Sequence, residues 1–142
     1  MEYIHEIIIF TLLVSLSAFF SGTEIAFFNL KTHRNDISEK LKKVLSKPRR
    51  LLVAILTGNT LVNVTIGFLA ASYTHNYTTK NMIDNDAQIL LLQVIVVSLV
   101  LIVFGEIIPK IIAIRFSKKF ANLAFIPLKI FIIILSPITL IL

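Results

Sequence analysis

Hydroxyl, amide and carboxylate side chains lie inside long apolar segments of this chain. The first segment carries Ser17, Ser21 and Glu24, whose spacing of four and then three residues places them on one face of a helix. The second carries Asn59 and Asn63, again one helical turn apart. Polar groups within a membrane segment are costly, so their positions indicate where a membrane protein handles polar or charged cargo.

The third apolar segment contains the run Gly105-Glu106-Ile107-Ile108-Pro109-Lys110. Pro109 has no N–H, so in an α-helix the carbonyl of Gly105 loses its donor and stays available beside the Glu106 carboxylate. Oxygens from carboxylates, amides, hydroxyls and carbonyls together suit a hard cation such as Mg²⁺ or Na⁺. The three segments therefore predict an all-oxygen cation site.

Each feature also has a structural interpretation. A membrane-helix serine commonly bonds its own backbone, the asparagines could join helices, and Glu106 could pair with Lys110 one turn away. Gly67 and Ala71 follow Asn59 and Asn63 at steps of four residues and so extend the same stripe of one helix face. Small residues in such a stripe favour helix packing, within the chain or between two chains. The three histidines lie near predicted interfaces or in loops, and we expect none to be a ligand.

The composition is typical of a membrane protein. Apolar residues make up 56% of the 142 positions and charged residues 15%, against about 45–50% and about 25% in soluble domains. Crossing a bilayer takes about 20 apolar helical residues, which three segments provide. We predict an all-α membrane protein with transmembrane helices over about 6–30, 51–74 and 87–109. The absence of cysteine leaves oxygen or imidazole as metal ligands.

Basic residues indicate the orientation. Segment 31–50 holds more than half of the 14 Lys and Arg residues, whereas segment 74–86 holds one Lys. Short loops rich in Lys and Arg stay in the cytoplasm, so we expect the N-terminus outside and the C-terminus inside, in the plasma membrane. Basic residues that flank apolar spans face the lipid bilayer and do not indicate nucleic-acid binding.

Two further segments are expected to be helical on the cytoplasmic side. Apolar residues at helical spacing within 31–50 favour an amphipathic helix, and a solvated loop without further role fits as well. Pro127 and Pro137 interrupt a stretch that could otherwise be a fourth span. We predict two short interfacial helices over about 118–142 in place of one straight helix, with Lys129 reaching the headgroups.

The polar groups of the three predicted spans lie at similar depth. Counting about 1.5 Å per residue from the basic residue that flanks each span places Glu24, Asn59 and Glu106 about 10–13 Å from it. All three fall in the half of the bilayer nearer the cytoplasm, so they can meet. This coincidence favours one shared site over three unrelated structural features.

Three motifs resemble the transmembrane domain of the CorC and cyclin M (CNNM) magnesium transporters: Phe20-Ser21-Gly22-Thr23-Glu24, Gly58-Asn59-Thr60-Leu61-Val62-Asn63 and Gly105-Glu106-Ile107-Ile108-Pro109-Lys110. With their spacing they cover nearly the whole chain. The resemblance implies three transmembrane helices followed by juxtamembrane helices on the cytoplasmic side, a homodimer, and a dehydrated Mg²⁺ among the helices. It also implies Na⁺-coupled Mg²⁺ export, although some members of the family could regulate transport without carrying it out.

The resemblance implies ligand-bearing groups from all three spans: Ser17, Ser21, Glu24, Asn59, Asn63, Gly105 through its carbonyl, and Glu106. Within this set, Glu24 is either a ligand or a nearby charge. Family members continue into a cytoplasmic nucleotide-binding pair of cystathionine-β-synthase type, which lies beyond Leu142. We therefore expect the full-length protein to carry that pair.

Two other functions stay open. A monovalent-cation antiporter would bind Na⁺ or H⁺ at the carboxylates, and an ion-sensing or regulatory dimeric module would bind a cation without moving it. Enzyme activity is not expected, because no serine or threonine nucleophile has a histidine at membrane depth to activate it.

Overall fold

The computed structural model describes residues 2–32, 37–81 and 86–141, and the side chains of residues 4–31, 37–81 and 87–134. Every described element is helical: α1 (Glu2–Thr32), α2 (Glu39–Leu45), α3 (Pro48–Lys80), α4 (Asp86–Val100), a π-helical segment (Leu101–Ile107), α5 (Ile108–Arg115) and α6 (Ser117–Ile141). The prediction of an all-α protein is confirmed. Positions 33–36 and 82–85, which belong to the two loops used for the orientation, lie outside the described residues.

Three helices are long and apolar enough to cross a membrane: Ile4–Lys31, Pro48–Lys80 and Ala87–Arg115. The last consists of α4, the π-helical segment and α5 in series. All three predicted spans are confirmed, and each helix runs beyond its predicted limits because helical hydrogen bonding continues past the apolar stretch. Large apolar side chains such as Ile7 (63% exposed) and Leu92 (63%) point away from the helix bundle. The chain is a multi-pass membrane protein whose outer surface contacts lipid.

The segment after the third span differs from the prediction. It forms one helix, α6, and the expected division into two short helices is wrong. Ala121, Ala124 and Leu128 are buried on both sides of Pro127 in sequence, and α6 contacts α1 and α3. This packing holds the helix across the hydrogen bond that Pro127 cannot donate, as neighbouring helices do for prolines in membrane helices. The side chain of Pro137 lies outside the described residues.

The first loop contains the predicted amphipathic helix in a shorter form. In α2, Leu41 and Leu45 are each 2% exposed, while Lys42 faces outward and pairs with Glu39 at 2.8 Å. Because these leucines are buried against the bundle, a fully solvated loop is excluded. Pro48 occupies the first turn of α3, where its missing N–H costs nothing.

Helix α1 occupies the centre of the bundle. It contacts α3, the π-helical segment, α5 and α6. Its inner face is therefore where side chains from the other two spans converge.

Candidate cation site

Ser17 joins the first two spans. It is fully buried, and its Oγ lies 2.7 Å from Oδ1 of Asn63 and 3.3 Å from Oδ1 of Asn59. A serine hydroxyl has one proton, so it can donate fully to only one of these two amide oxygens at a time. The expected alternative, a bond from Ser17 to its own helix backbone, is not what the structure shows. The Ser17 oxygen thus lies close to two amide oxygens and has one hydrogen to share between them.

Gly105 brings the third span against the same serine. A Cβ atom added to Gly105 would lie 3.0 Å from the Ser17 Oγ and 3.5 Å from its Cβ. Only glycine allows this approach without displacing Ser17. Ser17 of the first span, Asn59 and Asn63 of the second and Gly105 of the third therefore lie close together.

The third span changes helix type at this contact. Residues Leu101–Ile107 are π-helical, and the N–H of Ile108 donates to the carbonyl of Val103, five residues earlier. Such wider turns recur at functional sites. Sequence analysis missed this feature; the one available signal was Pro109, which removes the α-helical donor for Gly105.

Ser21, one turn from Ser17, has a buried hydroxyl with no hydrogen-bond partner among the described residues. Other hydroxyls of α1 behave differently: those of Thr11, Ser15 and Thr23 each donate to the carbonyl four residues earlier. A buried polar atom without a partner calls for an explanation, and a bound ion or water is one of the usual ones. Ser21 lies on the same face of α1 as Ser17, which makes a bound cation a consistent partner.

The predicted ligands Glu24 and Glu106 are both partly buried. Within the described part of the chain neither Glu24 nor Glu106 makes a hydrogen bond or ion pair, so the alternative pairing of Glu106 with Lys110 is not observed. Glu106 directly follows Gly105 at the three-helix contact, whereas Glu24 lies about 10 Å along α1 from Ser17. The structure joins Ser17, Asn59, Asn63 and Gly105 directly, and leaves Ser21, Glu24 and Glu106 without a contact to them through hydrogen bonds.

No group of three or more His, Cys, Asp or Glu side chains occurs among the described residues. A cation held here would therefore depend on neutral oxygens, with at most the two carboxylates for charge. Such a donor set fits Mg²⁺ or Na⁺ and does not suit a soft transition metal.

Aromatic rings cover two glycines of the motifs. A Cβ on Gly58 would lie 2.6 Å from the Phe20 ring and 2.8 Å from the Phe131 ring, and one on Gly22 would collide with Phe120. Phe120 and Phe131 belong to α6, so this helix packs directly behind the motif residues of α1 and α3. Sequence analysis missed these two phenylalanines, because nothing in their spacing distinguishes them from the other apolar residues of α6.

The stripe of small residues that continues from the asparagines, Gly67 and Ala71, is not packed at Gly67. A Cβ on Gly67 would have no neighbour within 4 Å. Packing of Gly67 against another described part of the same chain, one of the two alternatives for this stripe, is therefore wrong.

Comparisons with known proteins agree with this architecture. The family model of the cyclin M transmembrane N-terminal domain matches residues 7–142. An inner membrane protein of Escherichia coli K12, UPF0053 protein YfjD, is 32% identical over 115 residues, which cover 75% of this chain and 25% of that protein. A UPF0053 protein of Haemophilus influenzae is 32% identical over 121 residues, which cover 79% of this chain and 27% of that protein. The matched region thus spans about a quarter of each relative.

Proposed function

The chain belongs to the family of the cyclin M transmembrane N-terminal domain, and from this premise we propose that it transports Mg²⁺ across the membrane. The observation that carries the proposal is the convergence of the Ser17 hydroxyl with the amide oxygens of Asn59 and Asn63. Oxygen ligands in an octahedron at about 2.1 Å are what Mg²⁺ requires. The unpartnered hydroxyl of Ser21 supplies a further oxygen on the same helix face.

In this proposal the neutral oxygens replace water and the carboxylate supplies charge. Mg²⁺ gives up its water reluctantly, so several oxygens must be placed in advance to strip it. The Ser17 hydroxyl donates its one proton to one amide oxygen, which leaves its own lone pairs and the second amide oxygen available to the cation. Glu106 offsets most of the positive charge, with Glu24 as a ligand or a nearby charge.

Release of the ion requires the helices to separate, because the cluster is assembled from α1, α3 and the third span. We propose that this occurs in a homodimer of the plasma membrane, with the C-terminus in the cytoplasm, and that Mg²⁺ export is coupled to Na⁺ entry. In the full-length protein a cytoplasmic nucleotide-binding pair would follow the membrane domain. The proposal assigns no enzyme activity to the membrane domain.

Binding is tested by thermal unfolding of the purified protein in detergent with and without Mg²⁺, with Na⁺ and Ca²⁺ as controls. A ligand at 100 times its dissociation constant stabilises the folded state by about 2.7 kcal/mol, so the native protein should melt at a higher temperature with Mg²⁺. Glu106→Gln should lose this response. Ser21→Ala should lose much of it while leaving the ion-free melting temperature equal or higher, because the buried Ser21 hydroxyl makes no hydrogen bond that the substitution could remove.

Ser15→Ala is the matched control, since Ser15 lies on α1 but bonds its own backbone. If Ser15→Ala and Ser21→Ala respond equally to Mg²⁺, Ser21 is not a ligand, and if Glu106→Gln also responds like the native protein, the cluster is not the binding site. Stabilisation by Na⁺ with no effect of Mg²⁺ would favour the monovalent-cation antiporter.

Transport is tested separately in liposomes loaded with a fluorescent Mg²⁺ indicator. We expect Mg²⁺ movement driven by a Na⁺ gradient in the native protein and none in Glu106→Gln. Binding without movement in the native protein would identify an ion-sensing module and contradict the transporter proposal.

A further inference from the structure

A basic pocket lies at the end of the bundle, enclosed by α2, the start of α3 and α6, with a volume of about 600 Å³. Its charged wall consists of five cationic side chains: Lys40, Lys43, Lys47, Arg50 and Lys129. The apolar part of the lining includes Phe125, Ile132 and Ile133 of α6, the helix that also contributes Lys129. The pocket therefore combines positive charge with a hydrocarbon-like surface.

The positive charge of this pocket is not neutralised within the described part of the chain. None of its five cationic residues forms an ion pair there, and no acidic residue lines the pocket. The only carboxylate of α2, Glu39, pairs with Lys42, which lies outside the pocket lining. Five like charges around one space repel one another, so an anion that enters the pocket removes an existing electrostatic cost.

We propose that this pocket binds an anionic phospholipid, with its phosphate among the lysines and an acyl chain along the wall of Phe125, Ile132 and Ile133. The apolar lining favours a lipid over a free phosphate, because Ile133 is 62% exposed and an acyl chain would cover it whereas a phosphate ion would not. Position also favours a lipid: Arg50 and Leu51 lie near the start of the membrane-spanning helix Pro48–Lys80. Basic pockets next to membrane helices bind anionic headgroups by this combination of charges. The proposal is independent of the cation site.

The test is native mass spectrometry of the protein in detergent with phosphatidylglycerol and, separately, with phosphatidylcholine. The pocket variant combines Lys43→Gln in α2, Lys47→Gln directly before α3, and Lys129→Gln in α6. Each basic residue contributes about fivefold to affinity for an anionic lipid surface, so this variant should bind phosphatidylglycerol about a hundredfold more weakly. Binding of phosphatidylcholine should not change.

The control variant removes three charges outside the pocket: Lys31→Gln, Arg115→Gln and Lys119→Gln. It has the same net charge as the pocket variant and should keep native binding of phosphatidylglycerol. Equal losses in the two variants would overturn the proposal, because binding would then follow net charge alone. Equal native binding of phosphatidylcholine and phosphatidylglycerol would also overturn it.

A second arm separates lipid from free anion. Ile133→Gln changes only the apolar wall and should weaken phosphatidylglycerol binding, while inorganic phosphate at millimolar concentration should not displace the lipid from the native protein. If inorganic phosphate displaces the lipid and Ile133→Gln binds normally, the pocket is a site for soluble anions and the lipid assignment is wrong. All substituted side chains are exposed or line the pocket, so the helical fold is retained and far-UV circular dichroism checks this.

Discussion

Replacing Gly58 by Ala would place a methyl group where two aromatic rings already pack. The new Cβ would lie 2.6 Å from Phe20 and 2.8 Å from Phe131, whereas carbon atoms in favourable contact are about 3.5–4.0 Å apart. The rings would have to withdraw by about 1 Å. Phe20 is 2% exposed and also packs edge-on against Phe19, so it has little room to move.

The size of the effect follows from a comparison within α3. Gly67→Ala gains the same helix propensity, about 1 kcal/mol, but its Cβ would meet nothing within 4 Å. The propensity gain cancels between the two variants, which leaves the overpacking cost. Overpacking of a filled core costs about 1–3 kcal/mol, so Gly58→Ala should be less stable than Gly67→Ala by that amount.

Thermal unfolding in detergent, followed by far-UV circular dichroism, measures this difference. We expect Gly58→Ala to melt about 3–9 °C below Gly67→Ala. In a Phe20→Leu background Gly58→Ala should lower the melting temperature by less, because the Phe20 ring atoms that meet the new Cβ are gone. The stability effects of two substitutions in contact are not additive. Equal melting temperatures for the two alanine variants would refute the packing argument for α1, α3 and α6.

Three further substitutions test the helix contacts by the same measurement. Ser17→Ala removes the hydroxyl that joins α1 to α3 and should lower the free energy of unfolding by about 1–2 kcal/mol. Ser15→Ala, on the exposed side of α1, should lower it by less than about 0.5 kcal/mol. Equal losses in the two variants would contradict the bridging role of Ser17. Asn29→Ala removes the 2.8 Å hydrogen bond from Asn29 to the Ser117 hydroxyl at the start of α6 and should lower the free energy of unfolding by about 1 kcal/mol. Backbone amide hydrogens in the first turn of α6 should then exchange faster with solvent. An unchanged exchange rate would contradict a role of this bond in holding α6. Pro127→Ala restores an N–H within a continuous helix and should raise the melting temperature, and a lower one would show that the proline is required.

The three spans could be predicted from sequence because the bilayer imposes a strong and local requirement. A helix must present about 20 apolar residues to the hydrocarbon, and this requirement does not depend on the other helices. The same reasoning identified the polar residues of the spans, since each carries a cost in lipid that must be offset. Residue counts placed Glu24, Asn59 and Glu106 at similar depth, and of these the structure brings Asn59 into contact with Ser17 and, within the described chain, gives neither carboxylate a hydrogen bond to that cluster.

The continuity of α6 could not be predicted in this way. Sequence rules weigh a proline by the hydrogen bond that it removes, and this predicted two short helices. Burial of Ala121, Ala124 and Leu128 against α1 and α3 stabilises the single helix, and those contacts are between residues far apart in the chain.

The amino-acid sequence by itself determined the number of spans and the oxygen chemistry of their polar side chains, because both depend on local composition. Only the tertiary structure decided how those oxygens are used. Ser17 bonds across to α3 and Ser21 has no partner in the described chain, although both are serines one turn apart on one face of α1. That difference depends on how the neighbouring helices pack around each serine, and distances of a few tenths of an ångström between packed helices depend on the whole set of contacts and not on the local sequence.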